Sequence, residues 1–218
     1  MNKVSLIMIT DGRREYIKQT IARLKDAVDY SFIEKIIVND SGDINYHQFL
    51  VDNFSDFKII SHDQRSGLAH AIQTAWSSYS SEAEYIFHLE DDFLFTEKPQ
   101  IDLMISLLKN NKHLTQMALV RNPVNPPEEA VGGFVFQNLQ DYVQKEGFFE
   151  HTRLFTLNPS IYPTSTAHIG WPDRGNEPDF TSKVLSINNN YKFAYFGDIY
   201  DAPRVFHIGH MRTSGWRL

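Results

Sequence analysis

Cysteine is absent from the 218-residue sequence. A chain without thiols cannot build a disulfide framework, a thiolate zinc site or a cysteine nucleophile. If the protein binds a metal ion, oxygen atoms and imidazole nitrogens must therefore hold it.

Long hydrophobic runs are also missing. The apolar stretch at the amino terminus, MNKVSLIMIT, is followed at once by Asp11 and Arg13 and is too short for a secretory signal or a membrane span. We therefore expect a protein without a membrane partner that stays in the cytoplasm. Internal repeats and low-complexity tracts are absent as well, which excludes solenoids and propellers.

An excess of positive charge is a further absence. The 21 basic and 27 acidic residues give a net charge of −6 with histidine neutral. This balance argues against a broad basic face for nucleic acid or anionic lipid, although it leaves room for a local basic pocket.

Core-forming residues, in contrast, are plentiful. Hydrophobic residues make up 42% of the sequence and aromatic residues 13%, whereas charged residues make up 22%. These proportions are typical of a folded globular protein and exclude intrinsic disorder. The length predicts a single domain over residues 1–218 with a core of its own.

Apolar runs alternate with helical spacing through the first half of the chain. Each run is bounded by polar residues, as buried parallel strands usually are. The runs span residues 4–9, 33–38, 57–60, 85–89 and 117–120. Helical spacing of apolar residues marks segments 17–28, 68–79 and 101–108. The alternation predicts an α/β fold, with a Rossmann-like, mostly parallel sheet flanked by helices and ligands beyond the carboxyl ends of its strands.

After Val120 the pattern changes. Prolines, glycines and asparagine crowd residues 122–133, and only short apolar pieces follow them. This composition predicts a loop-rich second half. Within it we expect a helix over residues 177–187 and a strand within residues 191–200.

Three consecutive carboxylates, Glu90, Asp91 and Asp92, interrupt an apolar strand in the segment FHLEDDFLF. Burying such charges costs several kcal/mol per ion unless cations or hydrogen bonds compensate them. A divalent cation together with a diphosphate would supply that compensation. The alternative interpretation is a solvated acidic turn or a helix cap.

Four segments, each at the end of a predicted strand, resemble the GT-A fold glycosyltransferases, and in particular the inverting enzymes of family 2. They are VSLIMITDGRREYIKQTI, IEKIIVNDSGD, SHDQRSGLAHAIQTAW and HLEDDFLF, in the order and spacing of that family. The resemblance implies a nucleotide-binding half over residues 1–120 and an acceptor-binding, catalytic half over residues 121–218. It also implies that a group of side chains contacts the nucleotide sugar. These are Thr10, Asp11, Arg13, Asp40, Arg65, Glu90 and Asp91.

Some of these residues have structural interpretations too. Asp11 could cap the helix that follows it, and Asp40 could form a turn with the residues after it. Arg65 could be solvated. Their common position at predicted strand ends favours a ligand site, because open parallel sheets bind ligands at this edge.

The segment GWPDRGNEPDFTSKVL resembles the part of family 2 enzymes that carries the catalytic carboxylate. The resemblance implies that Glu177 is the general base, which deprotonates the acceptor hydroxyl, and that Asp179 is the later acid of the motif. In the alternative, Glu177 is a first-turn acid of a helix capped by Asn176. Because Asn176 stands where many relatives have an acid, the register stays open between Glu177 and Asp179.

The carboxyl-terminal segment FHIGHMRTSGWR contains two histidines and two arginines. It resembles GT-A enzymes that complete their metal site with a late histidine, which implies that Asp92 and His207 bind Mn²⁺ or Mg²⁺. A structural histidine at a strand end is the alternative for His207, and a part for His210 stays open. Arg212 is expected to contact the donor diphosphate.

The combined expectation is a metal-dependent inverting glycosyltransferase that uses a nucleoside diphosphate sugar, with UDP as the expected nucleotide. Similarity to small phage-type relatives implies hydroxymethylated pyrimidine in DNA as the acceptor, for which arginines would form a local stripe. Those arginines are Arg121, Arg153, Arg174, Arg204 and Arg217. Polysaccharide, lipid-linked sugar and protein acceptors are alternatives, as is a catalytically inactive nucleotide-sugar binder. A nucleotidyltransferase is disfavoured, because TDGRREY lacks a glycine-rich phosphate loop.

Overall fold

Strands and helices alternate through the first half of the chain. The structure, a computed structural model, describes residues 2–123 and 136–209. The predicted roles of His210, Arg212 and Arg217 therefore lie outside the described residues. In chain order, the elements of the first half are β1 (Val4–Thr10), α1 (Arg14–Ala27), β2 (Glu34–Asn39), α2 (Ile44–Asn53), β3 (Lys58–Ser61), α3 (Leu68–Ser78), β4 (Tyr85–Glu90), β5 (Phe93–Phe95), α4 (Ile101–Asn110) and β6 (Leu114–Ala118).

The second half consists of shorter elements joined by longer loops, as its composition predicts. Its longest described helix begins at Glu177 and ends at Ile187, which confirms the helix expected there. In chain order, the elements are β7 (Arg121–Asn122), a 3₁₀ helix (Phe136–Asp141), β8 (Val143–Lys145), β9 (Phe148–His151), β10 (Ser160–Pro163), α5 (Thr164–Ala167), α6 (Glu177–Ile187), β11 (Lys192–Phe196) and β12 (Val205–His207).

Nine of the described strands form one sheet in the order β3-β2-β1-β4-β10-β6-β11-β9-β8. The first four strands in this order pair in parallel. Beyond them the sheet is mixed, because β10 runs antiparallel between β4 and β6 while β11 is parallel to β6. The predicted α/β class is confirmed, and the parallel arrangement belongs chiefly to the strands of the first half.

A second, three-stranded sheet joins distant parts of the chain in the order β5-β12-β7. His207 of β12 lies opposite Phe93 of β5, and Val205 pairs with Arg121 of β7. Since β5 begins directly after Asp92, this small sheet carries both His207 and Arg121 to the acidic end of β4.

Helices cover both faces of the large sheet, as the alternating side chains of β1 illustrate. Leu6 and Met8 belong to a buried cluster that includes residues of α1, α2 and α4. Ile7 and Ile9 belong to another, which includes residues of α3 and α6. Burial on both faces explains why these strands are nearly continuous apolar runs in the sequence. Within the described ranges, no helix has the length and apolar character needed to cross a bilayer.

Strand β6 differs from the expectation derived from the apolar pattern. It begins at Leu114 rather than at Met117. The difference arises from Gln116, which is fully buried although it is polar. Its amide donates a hydrogen bond to the carbonyl of Thr156 and accepts one from the Thr156 backbone N–H, so its polar atoms are satisfied inside the sheet.

Candidate active site

The carboxyl ends of the parallel strands bring the acidic residues predicted from the sequence to one edge of the sheet. Asp11 follows β1, Asp40 follows β2, and Asp91 and Asp92 follow β4. All four side chains are buried. Buried carboxylates need cations or hydrogen bonds, so the partners of each one indicate what it does.

Arg13 joins three of these carboxylates. Its Nε lies 2.7 Å from Asp11 Oδ1, its Nη1 lies 2.5 Å from Asp92 Oδ2, and its Nη2 contacts Asp91 Oδ1. Gly12, with a φ of +106°, turns the backbone between Asp11 and Arg13 in a conformation that side chains disfavour. The guanidinium therefore sits as a fixed positive charge among the carboxylates at the ends of β1 and β4.

Asp91 points into the protein interior. Its Oδ2 accepts a hydrogen bond of 2.5 Å from the Thr10 hydroxyl, which also bonds to the Tyr46 hydroxyl at 2.6 Å. Burial raises the pKa of Asp91 to about 8, and the charge of Arg13 opposes this rise. Thr10 and Asp91 thus brace the strand ends, and their predicted contacts with the nucleotide stay predictions.

Asp92 faces His207. The imidazole Nε2 lies 3.2 Å from Asp92 Oδ2, and the Arg121 Nη1 lies 3.0 Å from His207 Nδ1. A guanidinium can only donate hydrogen bonds, so Nδ1 accepts and Nε2 carries the proton that it donates to Asp92. The ring stacks on Phe93 with centroids 4.8 Å apart. Although burial acts to raise it, the hydrogen bond from His207 and the charge of Arg13 lower the pKa of Asp92.

The residues around Asp92 offer part of a site for a divalent cation. Asp92 Oδ1 is buried and has no hydrogen-bond partner among the described residues. His207 Nε2 lies 3.2 Å from the other oxygen, Oδ2, and this nitrogen becomes a metal ligand in the neutral tautomer that carries the proton on Nδ1. A Cβ atom at Gly209 would come within 2.0 Å of Asp92 Oδ2, so only glycine allows the chain to pass so close. Among residues 2–123 and 136–209 no three acidic or histidine side chains form a complete metal site.

Asp40 organises the loop between β3 and α3. One of its oxygens accepts hydrogen bonds from His62 Nδ1 at 2.6 Å and from the Ser66 N–H at 2.9 Å, and the other accepts from the Gly67 N–H at 2.9 Å. The side chain is fully buried. To contact a nucleotide as predicted, Asp40 would have to replace one of these hydrogen bonds with a hydrogen bond to the nucleotide.

Arg65 projects from the same loop towards β1. Its Nη2 donates a hydrogen bond of 2.9 Å to the backbone carbonyl of Asp11, and 45% of its side chain is exposed. The loop that Asp40 organises therefore reaches the end of β1. Arg65 remains accessible to an anionic ligand at this edge.

Glu177 lies at the first turn of α6. Its Oε1 accepts a hydrogen bond of 2.5 Å from the Leu157 N–H. Burial raises the pKa of Glu177, while that N–H and the charge of Arg121 oppose the rise. Burial and the charge of Asp92 raise the pKa of Glu90, and Glu177 adds to that rise. Glu177 and the end of β4 therefore interact electrostatically despite their distance in sequence.

Asp179 has a different environment. The Asn176 side chain accepts from the Asp179 N–H, and the Asp179 carboxylate accepts from the Asn176 N–H. This reciprocal pair is a capping box at the start of α6. Asn176 is the cap that the sequence predicts, and Asp179 rather than Glu177 completes it.

Arg121 is a site residue that sequence reasoning assigned elsewhere. The local arginine stripe proposed for DNA does not include Arg121, because Arg121 is buried against His207 and Phe93. The sequence signal that could have placed Arg121 in the site was its position after β6, since the other candidate residues also follow strands. Another arginine of the proposed stripe, Arg153, pairs with Asp141.

Two other arginines of the predicted stripe behave differently from each other. Arg204 pairs with Glu97 and with Asp201, its Nη2 lying 2.9 Å from the Asp201 carboxylate. Arg174 is exposed. The Asp201 carboxylate weakens the attraction of Arg204 for phosphate. The described arginines therefore form only a small part of a continuous basic stripe.

Comparison with solved structures identifies the fold. A mannosyltransferase of Pyrobaculum calidifontis, in complex with GDP-Man and Mn²⁺, matches with a TM-score of 0.66 and 14% identity over 98% of this chain and 58% of that one. S. aureus TarS 1-349 matches with a TM-score of 0.61 and 14% identity, over 95% of this chain and 60% of that chain. A TarS 1-349 complex with UDP matches with a TM-score of 0.62 and 15% identity, over 94% of this chain and 60% of that chain. The chain thus spans only 58% to 60% of the length of these structures and shares their GT-A fold.

Sequence comparison gives the family. No curated protein matches the chain. The sequence profile of glycosyl transferase family 2 matches residues 5–168, a range that begins in β1 and includes the acidic end of β4. The chain therefore belongs to glycosyl transferase family 2.

Proposed function

We propose that this glycosyltransferase moves a sugar from a nucleoside diphosphate sugar to an acceptor hydroxyl. One observation carries the proposal: Arg13, Asp92, His207 and Arg121 converge at the carboxyl edge of the sheet from four separate parts of the chain. Glu177, from a fifth part, interacts electrostatically with Arg121. This set combines cations for a diphosphate, a candidate metal ligand pair and a carboxylate base.

The donor would lie across the ends of β1 and β4. Arg13 and Arg65 offer guanidinium groups, which bind phosphate oxygens in charge-assisted pairs. We propose UDP as the nucleotide, since one similar structure contains UDP. The mannosyltransferase with GDP-Man makes a guanine nucleotide the competing choice.

Asp92 and His207 would hold Mn²⁺ or Mg²⁺. When bound, such an ion stabilises the negative charge of the departing diphosphate. Asp92 contributes a buried oxygen that has no hydrogen-bond partner in the described part of the chain, and the depressed pKa of Asp92 keeps the side chain ionised at neutral pH. His207 would bind the ion through Nε2 in the tautomer that carries the proton on Nδ1, which requires that the Arg121 hydrogen bond to Nδ1 be broken.

Glu177 would act as the general base. A carboxylate with a raised pKa accepts a proton more readily than an ordinary one, which suits deprotonation of the acceptor hydroxyl. Direct attack of that hydroxyl on the anomeric carbon expels the diphosphate and inverts the configuration. The Leu157 N–H holds the carboxylate in place, and the positive charge of Arg121 favours its ionised form.

The acceptor that we propose is a hydroxyl of a modified pyrimidine in DNA, with polysaccharide and lipid-linked sugar as competing classes. The pairing of Arg204 with Asp201 and of Arg153 with Asp141 weakens the electrostatic case for DNA. A nucleotide-sugar binder without activity is the other candidate, and the carboxylates of Asp92 and Glu177, which both act on the pKa of Glu90, favour an enzyme over it.

The proposed function is tested by donor hydrolysis and transfer assays with UDP- and GDP-sugars and Mn²⁺. We expect product formation with one donor class, inversion of the anomeric configuration by NMR, and loss of turnover with chelator. Asp92→Asn should abolish metal-dependent turnover while the circular dichroism spectrum stays unchanged. Turnover unaffected by chelator would contradict the metal proposal, and absence of turnover with binding intact would favour the inactive binder.

A further inference from the structure

The proposed metal site contains a positive charge of its own. Arg13 Nη1 lies 2.5 Å from Asp92 Oδ2, while the other guanidinium nitrogens contact Asp11 and Asp91. Although burial acts to lower it, the charges of the three carboxylates raise the pKa of Arg13, so the group stays protonated. A metal ion at Asp92 must therefore bind next to a fixed cation.

Asp92 nevertheless has capacity for another cation. Its Oδ2 is contacted by both Arg13 and His207, but its buried Oδ1 has no hydrogen-bond partner among the described residues. A buried acceptor without a partner costs free energy, and hard divalent cations bind such oxygens well. The described residues thus compensate one of the two carboxylate oxygens and leave the other without a partner.

Building on the proposed function, we propose that Arg13 competes with the divalent cation for Asp92 and yields to it when the donor diphosphate binds. Two cations at one carboxylate repel each other, which weakens metal binding to the free protein. A diphosphate supplies oxygens that bind the guanidinium and the metal at once, so it relieves this repulsion. Arg13 thereby couples the binding of metal and donor, and the coupling is reciprocal.

The direct test is a titration with Mn²⁺ in the absence of nucleotide, in which the electron paramagnetic resonance signal reports the free ion. Arg13→Met removes the competing charge, and we expect it to bind Mn²⁺ tighter than the wild type by about tenfold or more. Arg13→Lys keeps the charge and should stay near the wild-type affinity. Arg14→Met is the matched control, because Arg14 is exposed and donates instead to the Asn45 carbonyl at 3.1 Å.

The same titration with saturating UDP completes the test. UDP should strengthen Mn²⁺ binding to the wild type more than to Arg13→Met. The inference alone fails if the wild type binds Mn²⁺ only with UDP and Arg13→Met gains no affinity without it. If no form binds Mn²⁺ with or without UDP, the proposed metal dependence fails and the inference fails with it.

A second measurement covers the case in which Arg13→Met does not fold. In ¹⁵N-labelled wild-type protein, the Arg13 Nε–H resonance is assigned by its loss in Arg13→Lys. We expect Mg²⁺ with UDP to shift this resonance and Mg²⁺ alone at the same concentration to leave it unchanged. An equal shift with Mg²⁺ alone, or none with both, would overturn the inference.

Discussion

Individual side chains determine the chemistry of this site, because each buried carboxylate is stabilised by a different set of hydrogen-bond and ion-pair partners. Asp91 is fixed by Thr10 and Arg13. Asp92 is shared by Arg13 and His207, and Glu177 is held by a backbone N–H. These carboxylates therefore have distinct roles, and single substitutions can separate catalysis from stabilisation of the fold.

Glu177→Gln tests the proposed base. Glutamine is nearly isosteric and can still accept the Leu157 N–H, but it cannot take a proton from the acceptor. General-base catalysis is worth about 10²- to 10⁴-fold, so turnover should fall by that factor while donor affinity stays similar. Steady-state kinetics and calorimetric donor titration measure the two quantities.

Asp179→Ala serves as the control for this prediction. It removes the carboxylate that accepts the Asn176 N–H, so it should lower the free energy of unfolding by about 0.5 to 1 kcal/mol. Turnover should change little. The reverse outcome, with near-wild-type turnover in Glu177→Gln and a large loss in Asp179→Ala, would move the base to Asp179.

The sequence predicted this site only in part. The resemblance to GT-A enzymes named Asp92 and His207, which the structure brings together across 115 positions of sequence. Neither the triple contact of Arg13 nor the place of Arg121 was predicted. Both depend on pairings between distant segments, such as that of β7 with β12, which no local pattern encodes.

At the scale of elements, the strands of the first half were predictable because both of their faces are buried. Helix α2 was not, since only Tyr46 and Leu50 of its residues are buried and Ile44 is 75% exposed. Its apolar stripe is too short for periodicity to reveal. The start of α2 instead depends on Asp43, which caps it by accepting the Asn45 N–H.

The second half is held together by polar contacts between strands as well as by its core. Glu150 of β9 is buried and lies 2.5 Å from Lys192 Nζ at the start of β11 and 2.8 Å from His113 Nε2 before β6. Although burial acts to raise it, the hydrogen bonds from Lys192 and His113 lower the pKa of Glu150. This carboxylate thus joins three neighbouring strands.

Glu150→Gln should show how the ionised Glu150 side chain contributes to the free energy of unfolding as a function of pH. Because the folded pKa of Glu150 is depressed, its stabilisation is fully present above the ordinary value of 4.5 and disappears as pH falls through the folded value. At pH 7 the variant should lose about 1 to 2 kcal/mol of unfolding free energy, since Lys192 and His113 remain partly solvated.

Urea denaturation of both proteins between pH 7 and pH 3, at about unit intervals, checks this prediction. The stability difference should shrink only below pH 4.5. Glu146→Gln makes the same change at an exposed position of the β8–β9 turn and should show no such trend. A pH-independent difference for Glu150→Gln would contradict the assigned charge interaction.

At the scale of the whole molecule, the two halves of the chain share one sheet. β10 from the second half lies between β4 and β6 of the first, and the apolar pattern does not predict this insertion. Trp76 of α3 packs against Trp171 and Phe180 with ring centroids 5.6 and 5.1 Å apart. Its Nε1 donates a hydrogen bond of 2.9 Å to the Tyr162 hydroxyl of β10.

This shared core predicts a single cooperative unfolding transition. Neither half can keep its part of the sheet when the other unfolds, because β10 would leave β4 and β6 with unpaired edges. Tryptophan fluorescence, which reports the junction at Trp76, and far-ultraviolet circular dichroism, which reports all helices, should give coincident denaturation curves.

Tyr162→Phe tests the same coupling without removing a tryptophan. It deletes the hydroxyl that accepts the Trp76 hydrogen bond and should cost about 0.5 to 1.5 kcal/mol. Since the bond joins the halves, both probes should shift to the same lower urea midpoint with an unchanged slope. If the halves were independent folding units, the two curves would separate, because loss of one contact at their junction would not destabilise both to the same extent.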